Sequence, residues 1–207
     1  VLPETGLNIS KEIIHRQNDN QKIKLLWVGR FIPTKKLDFA LKILSKLKDR
    51  NNYELHIVGW GNNEKEAHYH QMALDLGIDD LCIWHGKIQN QQVQTLMKES
   101  DLLIFTSILE GTPHVVLEAI SNNLPVICFD LCGQGVIIND KIGWKIPVPS
   151  LSEAVDNMID TINHIYENQK QIYEKAHNCE NRKPELSWNF KISQVLDIYK
   201  KLLNTKS

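Results

Sequence analysis

The sequence lacks several features that would each indicate a class of protein. It has no apolar run of about 18 residues, so no segment is predicted to span a membrane as a helix. Its 24 lysines and arginines against 25 aspartates and glutamates leave a net charge of −1, which argues against a nucleic-acid-binding surface. The start of the chain carries no signal-peptide pattern.

Cysteine is also scarce. The four cysteines form no CxxC pair, and three of them lie in or beside apolar runs, where a free cysteine behaves as a small hydrophobic residue. We therefore predict neither disulfides nor a metal site, and a reducing, cytoplasmic location for the protein.

Three nucleotide-binding or catalytic motifs are missing. No GxxxxGK[ST] segment is present, which excludes an ATP-binding P-loop. The pair Gly59 and Gly61 lacks the third glycine of a dinucleotide-binding fingerprint. There is also no GxSxG turn of the kind that presents a hydrolase serine.

From Lys22 onward, apolar runs alternate with segments whose apolar residues have helical spacing. Strands are predicted over 22–28, 53–58, 81–84, 102–106, 125–129 and 144–146, and helices over 37–47, 65–76, 91–98, 113–121, 152–168, 171–178 and 189–203. We expect Gly77 to end the second helix and Ser152 to cap the helix that it begins.

This alternation is typical of an α/β fold with a doubly wound, parallel, Rossmann-like sheet, here followed by extra C-terminal helices. The simplest division is one domain over 22–183 and a C-terminal helix over 184–207. Residues 1–21 are polar and irregular, which is typical of a linker or of the tail of a preceding unit.

Glycine or polar residues follow each of the first five predicted strands, at 29–31, 59–62, 85–87, 107–110 and 130–135. In an open parallel sheet, ligands bind beyond the carboxyl ends of the strands. Glycines there let a backbone approach a ligand closely. The sequence therefore predicts one binding site formed by these five exits.

Two cations follow the first strand. Arg30 comes directly after it, and Lys35 lies close to the start of the next helix. A guanidinium and an ammonium at that position would flank an anion that the helix N-terminus already favours. Taken alone, both side chains fit a solvated surface equally well.

The segment from Glu110 to Glu118 leads into the helix predicted to begin at Pro113. Glu118 lies within an otherwise apolar stretch, so a charge there needs a partner or a ligand unless that position of the helix is solvated. The start of such a helix leaves amide N–H groups free to bind a phosphate or a hydroxyl, namely those of Thr112, His114 and Val115.

Taken together, these segments resemble the retaining glycosyltransferases of family 4, also called group 1. Residues 29–35 resemble the GR-Φ-x-x-x-K segment of the family, and residues 110–118 match its E-x7-E motif. Residues 58–61 and 83–86 resemble its VGxG and F-x-G turns, and residues 122–127 resemble its G-x-P-V-I strand. The matching segments follow in the family's order from about residue 22 to 203.

The resemblance implies a GT-B enzyme with two Rossmann domains, of which this chain is the C-terminal, nucleotide-sugar-binding one and 1–21 the linker from the N-terminal domain. The whole enzyme would transfer a sugar, with retention, from a nucleotide-diphosphate sugar to a glycan or lipid-linked acceptor in polysaccharide biosynthesis, with UDP the favoured nucleotide. The domain alone is expected to bind the donor without transferring it. A peripheral position of the whole protein at the inner membrane face stays open.

The resemblance also implies roles for individual residues, and it implies no metal or other cofactor. Arg30 and Lys35 would neutralise the leaving diphosphate, Glu110 would accept sugar hydroxyls, and Glu118 would accept the ribose hydroxyls. The base would lie near 85–88. The predicted donor-binding residues are Gly29, Arg30, Lys35, Gly59, His85, Gly86, Lys87, Ile88, Glu110, Gly111, Thr112, His114, Val115 and Glu118.

The chain departs from the family pattern at several positions. Lys36 stands where the family usually has glycine, which adds charge and alters the demands on the turn. Thr112 stands where an aromatic residue is common, which leaves the sugar open. Two other functions also stay open: a sugar-nucleotide epimerase of the GT-B type, and a non-catalytic nucleotide-binding Rossmann module.

Overall fold

Strands and helices alternate in the predicted order, except that a short helix lies between the fifth and sixth strands where the sequence predicted only a loop. The computed structural model describes residue 6 and residues 22–204. The strands are β1 (Ile23–Val28), β2 (Tyr53–Val58), β3 (Cys82–Gly86), β4 (Leu102–Phe105), β5 (Val126–Phe129) and β6 (Gly143–Ile146). The helices are α1 (Leu37–Lys46), α2 (Asn63–Asp75), α3 (Asn90–Glu99), α4 (His114–Ser121), α5 (Cys132–Ile137), α6 (Leu151–Glu167), α7 (Lys170–Leu186) and α8 (Trp188–Asn204).

The strands form one sheet in the order β3-β2-β1-β4-β5-β6, and every pair is parallel. The predicted doubly wound, Rossmann-like fold is therefore confirmed. The order of the strands reverses direction between β1 and β4. These two strands are neighbours in the sheet, although 73 residues lie between Val28, the last residue of β1, and Leu102, the first residue of β4. This reversal is the position at which open α/β sheets bind ligands.

Helices cover both faces of the sheet. Leu25 of β1 lies in a core cluster with residues of α1, α2 and α6, whereas Leu26 lies in a second cluster with residues of α3, α4 and α5. Because successive residues of a strand point to opposite faces, a strand buried on both sides must be apolar throughout. The four residues of β4 and the four of β5 are accordingly all buried.

The sequence predicted the capping residue at two helix ends, and the structure corrects one of them. Gly77 ends α2 with a φ of 62°, the left-handed conformation that favours glycine, as predicted. Helix α6 is capped by Ser150 and not by Ser152, and the Ser150 hydroxyl accepts a hydrogen bond from the Glu153 amide at 3.2 Å. Ser150 has the extended backbone that a cap requires, whereas Ser152 is already helical.

Two elements end two or more residues later than predicted. Strand β3 continues to Gly86, because Gly86 pairs with Val58 of β2 beyond a bulge at His85. Helix α7 continues to Leu186 through Pro184. Its buried residues recur every three or four positions across the proline, so packing of that face offsets the lost backbone hydrogen bond.

Helix α7 crosses the predicted boundary between residues 183 and 184, and the division itself stays a prediction. Apart from Gly6, the predicted linker over 1–21 lies outside the described residues. Over the part of the chain that the structure describes, no helix is both long and apolar enough to cross a membrane.

Candidate functional site

The exits of β1 and β4 meet where the order of the strands reverses. The loop from β1 to α1 contacts the loop after β4 through the Ile108 amide, which donates to the Thr34 carbonyl at 2.9 Å. The Ser107 hydroxyl lies 3.1 Å from the same carbonyl. Because these contacts span more than 70 positions of sequence, they make one site from two distant segments.

Lys35 and Glu110 form a direct ion pair in this crevice. Their side chains are 22% and 15% exposed, so the pair is largely shielded from water. The Ser107 hydroxyl also donates to Oε1 of Glu110, at 2.6 Å. The structure therefore joins two residues for which the sequence predicted separate partners, the diphosphate and the sugar.

Thr106 is hydrogen-bonded to the backbone of the turn that carries Lys35. The Thr106 hydroxyl lies 2.9 Å from the Lys35 carbonyl and 2.8 Å from the Lys36 carbonyl, and it accepts a hydrogen bond from the Trp27 indole at 3.1 Å. Lys36 itself has φ 54° and ψ 49°, a left-handed conformation. The turn thus keeps the backbone that glycine would adopt, although the residue is lysine.

Glycines allow the strand exits to pack closely at two points. A Cβ atom at Gly59 would lie 1.8 Å from the Gly29 carbonyl oxygen, and one at Gly133 would lie 1.7 Å from the Gly111 carbonyl oxygen. Neither distance is possible for a real side chain. Gly59 therefore draws the β2 exit against the β1 exit, and Gly133 draws the start of α5 against the loop that carries Glu110.

Arg30 lies at the β1 exit, two residues after the end of the strand. Its side chain is exposed and lines a cavity of 330 Å³ together with Trp60 and Lys65. The other residues that line this cavity are Phe31, Ile32, Gly61 and Asn62. Among the described residues, no hydrogen bond or ion pair joins Arg30 to Lys35 or Glu110. Lys87, from the β3 exit, places Nζ 5.0 Å from the ring of Trp60. Arg30 thus lines the same cavity as Trp60, whose ring Lys87 approaches.

Glu118 is half-buried on α4 and has a partner that the sequence did not indicate. The side-chain amide of Asn90, at the start of α3, donates to Oε1 of Glu118 at 3.3 Å. Burial raises the pKa of Glu118, while the Asn90 hydrogen bond and the charge of His114 act in the opposite direction. The apolar neighbours of Glu118 in sequence pointed to this burial.

His85 is half-buried against His56 of β2, which the sequence did not single out. The two rings stack with centroids 5.2 Å apart, and Nδ1 of His56 lies 3.1 Å from Nε2 of His85. Burial lowers the pKa of both histidines, and the neighbouring His85 lowers that of His56 further. Gly86 has φ 63°, and its carbonyl accepts a hydrogen bond from the Gly59 amide at 3.0 Å. Since Gly86 is the last residue of β3, Lys87 and Ile88 form the exit of this strand.

Helix α4 begins beside Glu110. Pro113 precedes its first residue as the cap, so the helix starts one position later than predicted. His114 is exposed, while Thr112 and Val115 are half-buried. The amides of His114 and Val115 lie in the first turn, which has no intrahelical acceptors. Within residues 22–204, no cluster of three or more histidine, cysteine, aspartate or glutamate side chains is arranged to hold a metal ion.

Comparison with known proteins identifies the family of this fold and site. The profile of the family described as glycosyl transferases group 1 matches residues 10–185. The chain belongs to the group 1 glycosyltransferases. The matched range includes both the Lys35 turn and the segment from Glu110 to Glu118.

Individual relatives are similar over most of the chain. The lipopolysaccharide glucosyltransferase WaaG of Escherichia coli K12 is 30% identical over 156 residues, which cover 72% of this chain and 40% of that protein. The lipopolysaccharide outer core galactosyltransferase WaaB, in its apo form, superposes with a TM-score of 0.77 at 22% identity, over 95% of this chain and 54% of that one.

A third similar protein was solved with a nucleotide. HepE of Anabaena, in complex with UDP and glucose, superposes with a TM-score of 0.73 at 17% identity, over 87% of this chain and 49% of that one. The present chain spans at most half the length of the curated relatives that it matches.

Proposed function

We propose that this chain is the donor-binding domain of a glycosyltransferase that uses a nucleotide-diphosphate sugar, with UDP as the nucleotide. The full-length protein would transfer the sugar with retention to a glycan or lipid-linked acceptor in the synthesis of a polysaccharide or glycoconjugate. The main support is the shielded Lys35–Glu110 pair beside the start of α4, at the reversal of the strand order. The lipopolysaccharide relatives and the UDP bound to HepE point the same way.

In this proposal, Lys35 serves the diphosphate and Glu110 together. An ammonium group has three donor hydrogens, so Lys35 can donate to a phosphate oxygen while it keeps its contact with Glu110. Arg30 adds a second cation whose charge no carboxylate in the described residues offsets. Fixed cations stabilise the charge that develops on the leaving diphosphate, without a metal ion.

Glu110 is proposed to bind the sugar and not to attack it. Its carboxylate already accepts hydrogen bonds from Lys35 and Ser107, which orient it and disfavour its use as a nucleophile. Its remaining lone pairs can accept sugar hydroxyls, and the first-turn amides of His114 and Val115 can donate to them or to a phosphate. Retention would then proceed by displacement on the face from which the diphosphate leaves.

Glu118 is proposed to hold the ribose. A carboxylate accepts hydrogen bonds from two vicinal hydroxyls, and the Asn90 amide already fixes one of its oxygens. The base would then lie along Gly86, Lys87 and Ile88 at the β3 exit, where Trp60 offers an exposed ring.

The proposal is tested by calorimetry of this chain with UDP and GDP in the presence of a chelator. We expect UDP to bind, and Arg30→Ala, Lys35→Ala and Glu118→Ala each to weaken binding about tenfold or more, because each removes a charged hydrogen-bond partner. The matched control is Lys46→Ala. Lys46 is an exposed lysine at the end of α1, and it pairs with Asp156 and with no residue of the candidate site. The absence of binding for both nucleotides at millimolar concentration would rule the proposal out.

The alternatives differ in what the full-length protein does. An epimerase converts the donor without an acceptor, whereas a transferase requires one. A non-catalytic module would keep all its activity in the Glu110→Gln variant. The proposal therefore requires acceptor-dependent release of UDP that Glu110→Gln reduces.

A further inference from the structure

Two neighbouring hydroxyl groups lie beneath the candidate site at the end of β4. Thr106 and Ser107 are 0% and 1% exposed, so neither side chain is accessible to a ligand that binds from solution. We propose that they are positioning residues that divide the site between them: Thr106 sets the turn that carries Lys35, and Ser107 sets the carboxylate of Glu110. This inference rests on the proposed function, and it names residues to which the sequence assigned no role.

The contacts of Thr106 fix the direction of its hydroxyl proton. The Trp27 indole N–H donates to the Thr106 oxygen at 3.1 Å, and an indole can only donate. Thr106 must therefore direct its own proton to the carbonyls of Lys35 and Lys36, at 2.9 and 2.8 Å. Trp27 is 2% exposed and so has no water as a substitute acceptor. The chain from Trp27 through Thr106 thus anchors the backbone of the cationic turn.

The contacts of Ser107 favour the carboxylate. Its single proton has two acceptors in reach, Oε1 of Glu110 at 2.6 Å and the Thr34 carbonyl at 3.1 Å. The Thr34 carbonyl already accepts from the Ile108 amide, and hydrogen bonds from a hydroxyl to a carboxylate are the shorter and stronger kind. Ser107 therefore acts on Glu110 from the side opposite to solvent.

The backbone of Ser107 is itself fixed from the next strand exit. The side-chain amide of Gln134, at the start of α5, donates to the Ser107 carbonyl at 3.1 Å, and Gln134 is fully buried. The hydroxyl of Ser107 consequently starts from a backbone that the β5 exit restrains. Pre-organised supports of this kind let a site bind without reorganising.

The two roles predict different binding defects. Calorimetry with UDP and with UDP-glucose, UDP-galactose and UDP-N-acetylglucosamine would compare Thr106→Val with Ser107→Ala. We expect Thr106→Val to weaken UDP and UDP-sugars alike, about tenfold, because both contain the diphosphate that Lys35 binds. We expect Ser107→Ala to leave UDP little changed and to weaken the best-bound UDP-sugar about tenfold, because Glu110 binds the sugar.

Two controls separate positioning from general loss of structure. Thr106→Ser keeps the hydroxyl and should restore binding of UDP. Ser100→Ala removes an equally buried hydroxyl, which donates to the Leu96 carbonyl at 2.6 Å, and should change no affinity. The inference is wrong if Ser107→Ala weakens UDP as much as the UDP-sugar, or if Thr106→Val leaves UDP binding intact.

A second measurement needs no ligand. In urea unfolding of Ser107→Ala, Glu110→Ala and the double variant, the effect of Ser107→Ala on the unfolding equilibrium constant should shrink about fivefold or more once Glu110 is gone. Additive effects would overturn the Ser107 contact. If the chain binds no UDP or UDP-sugar, the proposed function fails, and this cycle still decides whether Ser107 holds Glu110.

Discussion

The left-handed turn at Lys36 stores a conformational strain that one substitution can release. Lys36 has φ 54° and ψ 49°, directly before α1, and its Nζ lies 4.8 Å from the ring centre of Phe39. A residue with a Cβ atom pays about 1 to 2 kcal/mol for this conformation, whereas glycine adopts it freely. We therefore expect Lys36→Gly to be more stable than Lys36→Ala.

The comparison with Lys36→Ala isolates the backbone. Both variants lose the lysine charge and its contact with Phe39, but only alanine keeps the Cβ atom that the turn disfavours. Glycine also has greater conformational freedom in the unfolded chain, which lowers the free energy of unfolding of Lys36→Gly by about 0.5 to 1 kcal/mol. The free energy of unfolding of Lys36→Gly should thus exceed that of Lys36→Ala by about 0.5 to 1 kcal/mol.

Urea unfolding followed by tryptophan fluorescence measures this difference, provided that both variants show the same dependence on urea. In thermal unfolding the same gain corresponds to about 1 to 4 °C for a domain of this size. Equal stabilities, or a more stable Lys36→Ala, would refute the claim that this turn is strained.

Two further predictions concern Glu118 and the cysteines. Because burial raises the pKa of Glu118, its ionised form destabilises the folded state at neutral pH. We expect Glu118→Gln to raise the free energy of unfolding near pH 7, and the gain to shrink as pH falls through the raised pKa; a gain independent of pH would contradict this. Only Cys132 is exposed among the four cysteines, and burial raises the thiol pKa of Cys82 and Cys128 to about 12. A thiol reagent should modify one cysteine quickly in the native chain and none in Cys132→Ser; several fast thiols would be the contrary result.

The sequence indicated the residues with distinctive chemistry. Lys35 and Glu110 were placed at one edge because they follow strands, and strand exits of a parallel sheet share an edge. The apolar neighbours of Glu118 indicated a charge that needs a partner, with a solvated position as the alternative, and the structure shows Glu118 half-buried. Each of these inferences uses only residues close together in sequence.

The residues that the sequence missed are common polar types whose role depends on distant partners. Asn90 matters through Glu118, 28 positions away, and His56 through His85, 29 positions away. Thr106 lies in a predicted strand, and nothing about a threonine there indicates that it supports Lys35. Serine and threonine occur at many such positions, so no local pattern separates a positioning hydroxyl from an ordinary one.

The errors in element boundaries have similar causes. Ser150 and Ser152 are both suitable caps by residue type, and only the backbone conformation distinguishes them. The end of β3 depends on its pairing with Val58 of β2. Helix α7 passes through Pro184 because the face on either side of the proline stays packed.

Local periodicity, strand composition and turn residues by themselves determined that this chain is an α/β domain with one ligand-binding edge, because those signals act over a few neighbouring residues. Only the tertiary structure decided that β1 lies beside β4, and hence that Lys35, Glu110 and Ser107 meet. Strand order and side-chain contact arise from packing between segments more than 70 residues apart, which no local pattern encodes.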